Sequence, residues 1–276
     1  MTEQNVADFA RYLEREEYAP GSVELYLRSI RKLYAWLEGR PVTKEEVIAW
    51  KDHLVADGYA PVTVNAMLAA VNRCFRFIGR EDCRVKALRI QKRVFRDAGR
   101  ELSKEDYFKL RDAAEENGQE RLALLIETIC ATGIRVSEVQ YVTVGAAKQG
   151  RAEVSLKGKI RTILLPGKLC RKLIKYARNK KIARGEIFLT ARGKRLSRKQ
   201  IWAELKRLCK RAGVEASKVF PHNLRHLFAQ TFYKACRDIA KLADVLGHSS
   251  IETTRIYLIS TGAEHARQIA RLGLVT

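Results

Sequence analysis

Four side chains within thirty-six positions have the chemistry that phosphoryl transfer requires: His222, Arg225, His248 and Tyr257. His222 and Arg225 are three apart, so on a helix they share one face. Two or more cations clamp a non-bridging phosphate oxygen, and a tyrosine hydroxyl is placed to attack the phosphorus in line. Taken singly, each residue has an ordinary reading. An H-x-x-R pair commonly lies on a solvated surface, and one tyrosine among ten commonly belongs to a core or an interface. Order and spacing together favour a site that acts on a phosphodiester.

The elements around these residues must bring them together. Leu224, Leu227, Phe228, Thr231, Phe232 and Ala235 form the apolar stripe of a helix, with Pro221 just before it. A second helix runs from Asp238, its N-cap, through Ile239, Leu242, Ala243 and Leu246, and Gly247 stops it. His248 follows at the break. Ser249 and Glu252 spell a capping box that opens a third helix, with Tyr257 about two turns along. A chain that turns back at Gly247 carries Tyr257 towards the face of His222 and Arg225. Upstream, an apolar helix over 122–129 ends at Thr132-Gly133, Arg135 follows that break, and a short helix starts at Ser137. Glu138 is placed to orient Arg135 or simply to pair with it on the surface. The clear β signal is a hairpin: 154–156 and 160–165 flank Lys157-Gly158-Lys159. An ammonium at that turn can protonate a leaving oxygen.

H-N-L-R-H at 222–226, L-G-H at 246–248 and a tyrosine nine residues later resemble the C-terminal signature of the tyrosine recombinases, the phage integrase family. A-T-G-I-R-V-S-E at 131–138 resembles that family's first arginine motif, and L-K-G-K-I-R-T-I-L-L-P at 156–166 its hairpin lysine motif. The resemblance implies site-specific DNA strand exchange through a 3′-phosphotyrosine, with Tyr257 as nucleophile. It implies Arg135 and Arg225 as transition-state stabilisers and Lys157 as general acid. His222 positions the phosphate or accepts the phenol proton, His248 donates to the phosphate, and Glu138 orients a cation. Lys159 rivals Lys157; the family's lysine directly precedes the turn glycine, which favours Lys157. Leu156 stands where the family more often has glycine. No cofactor and no metal are expected, because the ester energy is kept in the protein–DNA bond and neither a phosphate-binding glycine loop nor a carboxylate cluster is visible.

Composition agrees with a polyanion partner. The chain of 276 residues has a net charge of +22, and residues 148–276 hold thirty basic against eight acidic residues, a surplus equal to the whole net charge. With 46% hydrophobic residues it can bury a core, which excludes wholesale disorder. Six cysteines without ligand spacing read as small hydrophobes in a reducing compartment. No leader and no long apolar run is seen, so the expected location is cytoplasmic, or nucleoid-associated, without a membrane partner.

The expected fold is mainly α with a small antiparallel β-sheet, arranged as a two-domain DNA clamp. Residues 1–80 read as four helices, resembling the family's SAM-like core-binding domain; 81–100 read as a basic linker and 101–276 as the catalytic domain. Y-A-P-G-S-V at 18–23 and Y-A-P-V-T-V at 59–64 echo each other, each read as opening a helix with Ser22 or Thr63 as N-cap. Ser22, Arg28, Arg31, Thr63, Asn65, Arg73 and Arg76 are candidate DNA contacts, as are Lys92 and Arg93 of the linker and Lys159, Arg195, Arg198 and Lys199 of the catalytic half. Each can equally be an ordinary cap or a solvated charge. Ser197 reads as the cap of a basic helix that includes Trp202. The tail 258–276 resembles the segment that docks on a neighbouring protomer in a dimer or tetramer on DNA, and it can also pack on its own chain. With no room for an extra arm-binding domain, the expectation is a simple recombinase acting on double-stranded DNA with short inverted core sites. A type IB-like topoisomerase and a catalytically inactive DNA-binding regulator of the same fold are the other readings.

Overall fold

The computed structural model describes residues 3–90, 98–156, 159–257 and 270–271, without the side chains of 98, 156 and 159. It forms two compact units, 1–92 and 93–276.

In the first unit, α1 (Glu3–Arg15), α2 (Pro20–Leu37), α3 (Lys44–Ala56) and α4 (Pro61–Phe77) enclose a core around Phe9, Leu33, Trp50 and Phe75. The repeated Tyr-Ala-Pro stretches do open α2 and α4, but the starts differ from the expected ones. Neither Ser22 nor Thr63 is a cap: the N-cap residues are Ala19 and Ala60, and Pro20 and Pro61 occupy the first helical position. A proline ring holds φ at a helical value and has no N–H to leave unsatisfied, so the helix starts there, and it pushes the preceding alanine to extended backbone. The irregular segment after α4 is pinned back onto it. Asn65 donates to the Leu88 carbonyl at 2.9 Å and accepts from the Leu88 N–H at 2.7 Å. Asn72 does the same with Val85, at 2.8 and 3.1 Å.

In the second unit, α5 (Lys104–Glu116) begins in a capping box between Ser103 and Asp106, and α6 (Glu120–Thr132) ends at Gly133. A 3₁₀ stretch (Val136–Tyr141) and α7 (Val144–Gln149) lead into β1 (Arg151–Leu156) and β2 (Lys159–Leu164), an antiparallel pair with Val154 opposite Arg161. Lys157 and Gly158 lie outside the described residues. Then follow α8 (Gly167–Asn179), α9 (Arg198–Ala212, capped by Ser197 with Gln200), α10 (Pro221–Cys236), α11 (Ile239–Leu246) and α12 (Ile251–Arg255). The segment 186–189 makes isolated bridges from Glu186 to Thr143 and from Leu189 to Arg195. Alternation along the hairpin is clean: Ala152, Val154, Ile163 and Leu165 are buried, while Ile160 and Leu164 face outward. Arg161 therefore falls on the inner face.

Around the site the caps are set by small sequence features. Asp238 caps α11 by accepting from the N–H groups of Ala240 and Lys241, and Gly247 ends it at φ +62°. The cap of α12 is Ser250 rather than Ser249, since the Ser250 hydroxyl is the one that reaches the Glu252 N–H. That helix is a single turn, and Tyr257 lies just past its end rather than two turns along. Pro221 is the first residue of α10, with Phe220 as its N-cap. No described helix is long and apolar enough to cross a membrane.

Candidate active site

The C-terminus of α11 organises the site. Three consecutive carbonyls there each accept from a different guanidinium: Val245 O from Arg161 Nη1 at 3.3 Å, Leu246 O from Arg225 Nη2 at 2.9 Å, and Gly247 O from Arg135 Nη2 at 3.4 Å. A helix C-terminus carries partial negative charge on carbonyls with no intrahelical partner, so it attracts cations and fixes them by hydrogen bonds at once. Arg225 is also held by the C-terminus of α6, where its Nη1 donates to the carbonyl of Gly133.

Two glycines make this convergence possible. Gly133 has φ +63°, and a Cβ there would lie 2.4 Å from Phe228 Cδ1; Gly247 has φ +62°, and a Cβ there would lie 2.3 Å from Arg161 Cδ. Both need the left-handed backbone and the absence of a side chain.

Arg225 is 2% exposed, among the largest fully buried side chains. Burial pulls its guanidinium down to about 10, against a hydrogen bond with the Tyr257 hydroxyl that raises it, so it stays charged at neutral pH. Arg225 Nη2 also lies 2.9 Å from His248 Nε2. A guanidinium can only donate, so His248 Nε2 is an acceptor and the ring proton sits on Nδ1. Nδ1–H then donates to Thr254 Oγ1, 2.8 Å away on α12. Burial, followed by Arg225 and Arg135, pushes His248 down to about 4, which keeps it neutral. His222 has an exposed edge, yet the wall around its ring, then Arg225 and Arg135, holds it below the usual histidine range.

Tyr257 is 3% exposed, in a satellite cluster with Leu242, Leu246 and Ala229. Its ring stacks on His248 at 5.6 Å and 15°, with His222 at 5.7 Å and His226 at 4.3 Å between centroids. The Tyr257 ring is thus enclosed by three histidine rings.

Glu138 is 2% exposed, not part of a surface pair. Its Oε1 accepts from Arg135 Nη1 and its Oε2 from the Arg135 N–H, both at 2.9 Å, and Oε2 also accepts from Arg161 Nη2. Burial alone would raise its carboxyl, but the Arg135 N–H and the two guanidinium groups outweigh burial and hold it below the usual range. Arg135 keeps 38% of its side chain exposed, whereas Arg161 keeps 14%.

The structure thus brings together Arg135, Glu138, His222, Arg225, His248 and Tyr257, and adds Arg161 and His226. Both additions lie inside the quoted motifs. Arg161 is in the hairpin run, where inward orientation was the available signal; His226 ends H-N-L-R-H, one helical turn after His222.

The expected DNA contacts fall into several groups. Arg28, Arg31, Thr63, Arg198 and Lys199 are exposed, and Ser22 is half-buried in the first turn of α2. Arg76 and Arg195 are exposed but face Glu81 and Glu186, and Arg73 donates to the Tyr12 hydroxyl at 3.1 Å near Glu16. Asn65 spends both ends of its amide on Leu88. Lys92, Arg93 and most of the tail 258–276 lie outside the described residues.

Comparison with known proteins places these observations. A profile described as "Phage integrase family" matches residues 100–264, and one described as "Phage integrase, N-terminal SAM-like domain" matches residues 6–82. Tyrosine recombinase XerC of Roseiflexus castenholzii is 34% identical over 247 residues, covering 82% of this chain and 76% of its own. Tyrosine recombinase XerA of Thermococcus kodakarensis is 28% identical over 278 residues, covering 97% and 95%. Among solved structures, a lambda integrase dimer bound to a COC′ core site has a TM-score of 0.74 at 18% identity, covering 93% of this chain and 94% of that one.

Proposed function

Because the chain belongs to the phage integrase family and is a site-specific DNA recombinase, we propose that it cuts and rejoins DNA through Tyr257 in the site built at the end of α11. The Tyr257 oxygen attacks the scissile phosphorus and forms the phosphotyrosyl bond as the bond from phosphorus to the 5′-oxygen breaks. A non-bridging oxygen takes over the contact that the Tyr257 hydroxyl makes with Arg225. Arg135, the more exposed guanidinium, meets the phosphate from the solvent side. Neutral His222 is competent to accept the phenol proton. His248 holds Arg225 through its Nε2 lone pair, and donation from that atom to the phosphate would need the other tautomer. Lys157, assigned by resemblance, protonates the departing 5′-oxygen. Reversal with a new 5′-hydroxyl rejoins the strands.

One ester replaces another of similar energy, and guanidinium groups supply the positive charge, so the proposed reaction needs neither ATP nor a metal. The proposed partner is double-stranded DNA with short inverted core sites, bound by a dimer and then a tetramer of this chain, in the cytoplasm near the nucleoid. The matches to recombinases and integrases do not favour the topoisomerase and inactive-regulator readings.

The observation that carries the mechanism is the convergence of Arg225, His248 and Tyr257 at one helix end. Incubation with nicked suicide duplexes from DNA flanking its own gene tests it. The wild type should form a covalent adduct, and Tyr257→Phe should form none while still binding. An adduct with Tyr257→Phe would refute the nucleophile assignment. Relaxation of a two-site plasmid without recombination would return the topoisomerase reading.

A further inference from the structure

Arg161 stands apart from the other cations of the site. It lies on β2, inside the hairpin and opposite Val154, in a position whose neighbours on that face are apolar. Its stem fills the space over Gly247, one guanidinium nitrogen reaches Val245 O, and the other shares Glu138 Oε2 with the Arg135 N–H. Its Nε–H is buried without an acceptor among the described residues. A complete set of hydrogen bonds therefore does not explain an arginine here.

Charge does. A scissile phosphodiester carries one negative charge, and attack by a phenolate brings the reacting group to two. Arg135 and Arg225 supply two positive charges, but Glu138 cancels one of them. Apart from the protons that His222 and Lys157 move, these four fixed groups sum to +2 with Arg161 and to +1 without it. The same contact also leaves Glu138 shared between two guanidinium groups, so that Arg135 is oriented without being fully compensated.

We propose that Arg161 is a positioning residue for strand cleavage, acting through Glu138 to aim Arg135 and to maintain the positive charge that the transition state meets. This rests on the assignment of Tyr257, Arg135 and Arg225 above. The residue does not itself touch the phosphate in this reading. Its loss should lower the rate of cleavage rather than the affinity for DNA.

The test uses the full-length chain with Arg161→Gln and Arg161→Lys, on suicide duplexes carrying either the natural phosphodiester or a neutral methylphosphonate at the scissile position. On the phosphodiester at saturating DNA, R161Q should form the adduct about 10- to 100-fold more slowly, with half-saturation within about twofold of wild type. On the methylphosphonate there is one less negative charge to neutralise, so the deficit should shrink to below about threefold. R161K keeps the charge and should fall between R161Q and wild type, which preserves the comparison if R161Q does not fold. A deficit of equal size on both substrates, or a wild-type rate for R161Q, overturns the proposal. Wild-type protein that forms no Tyr257-dependent adduct overturns instead the active-site assignment on which it rests.

Discussion

Gly247→Ala is the most diagnostic single change, because a control for it exists in the same unit. Gly247 and Gly213 both end helices at nearly the same backbone angle, φ +62° and +61°. A Cβ at Gly213 meets nothing within 4 Å, whereas one at Gly247 lies 2.3 Å from Arg161 Cδ and 2.8 Å from Arg161 Nη1. Gly213→Ala should therefore cost only the left-handed strain of a non-glycine residue, about 1–2 kcal/mol. Gly247→Ala adds the eviction of Arg161, which loses its bonds to Val245 O and Glu138 and leaves that buried carboxylate with one cation instead of two. Hydrogen bonds to charged groups are worth about 1.5–3 kcal/mol each, partly recovered as Arg161 finds water. The excess of Gly247→Ala over Gly213→Ala should then be about 2–3 kcal/mol. For a unit of this size that corresponds to a further fall in melting temperature of roughly 4–12 °C. Thermal denaturation followed by far-UV ellipticity reads the difference. Combined with Arg161→Ala, which has no Cδ over Gly247, Gly247→Ala should add little beyond its backbone strain, since the contact it breaks is already gone. Equal losses for the two glycine variants, or full additivity with Arg161→Ala, would refute the idea that Gly247 exists to admit Arg161.

Acid should destabilise the fold through His248: the folded state holds it at about 4, while the unfolded chain protonates it near pH 6.5, so its contribution is complete above about pH 6.5 and lost as pH falls to about 4. Discounted for solvent screening of this half-buried ring, the loss is on the order of 1 kcal/mol, and urea midpoints at pH 7.5, 6 and 5 should shift less in a His248→Gln protein than in wild type. Asp238→Ala removes the side chain that accepts from Ala240 and Lys241 and should cost about 0.5–2 kcal/mol, with faster hydrogen exchange in α11 and slower cleavage as the first readouts. Asn65→Ala breaks both bonds to Leu88 and should lower the stability of the first unit by about 1–3 kcal/mol. DNA affinity measured where the variant is folded should stay within about twofold; a large drop there would make Asn65 a direct contact.

Much of this was legible in the chain because it is local. His222 and Arg225 share a face by their spacing, Asp238 and Gly247 bound a helix by their chemistry, and the hairpin declares itself by alternation around a glycine. The order of the motifs indicated the family and its residue types. Local signals also misled where a stronger local rule was present: proline at the first helical position displaced the expected Ser22 and Thr63 caps, and Ser250 took the role read into Ser249.

What no local rule contains is the meeting of distant groups. Arg135 reaches a carbonyl 112 residues away, Arg161 one 84 residues away and Arg225 one 92 residues away. A one-residue slip in the hairpin register would have turned Arg161 to solvent, and the tautomer of His248 follows only from the guanidinium placed against it. The amino-acid order settled which groups are present and which backbone turns can form. The tertiary fold, which packs α11 on α10 and α12 and brings Arg161 of β2 within reach, decided that three cations share one helix terminus, because the carbonyls there have no intrahelical partner.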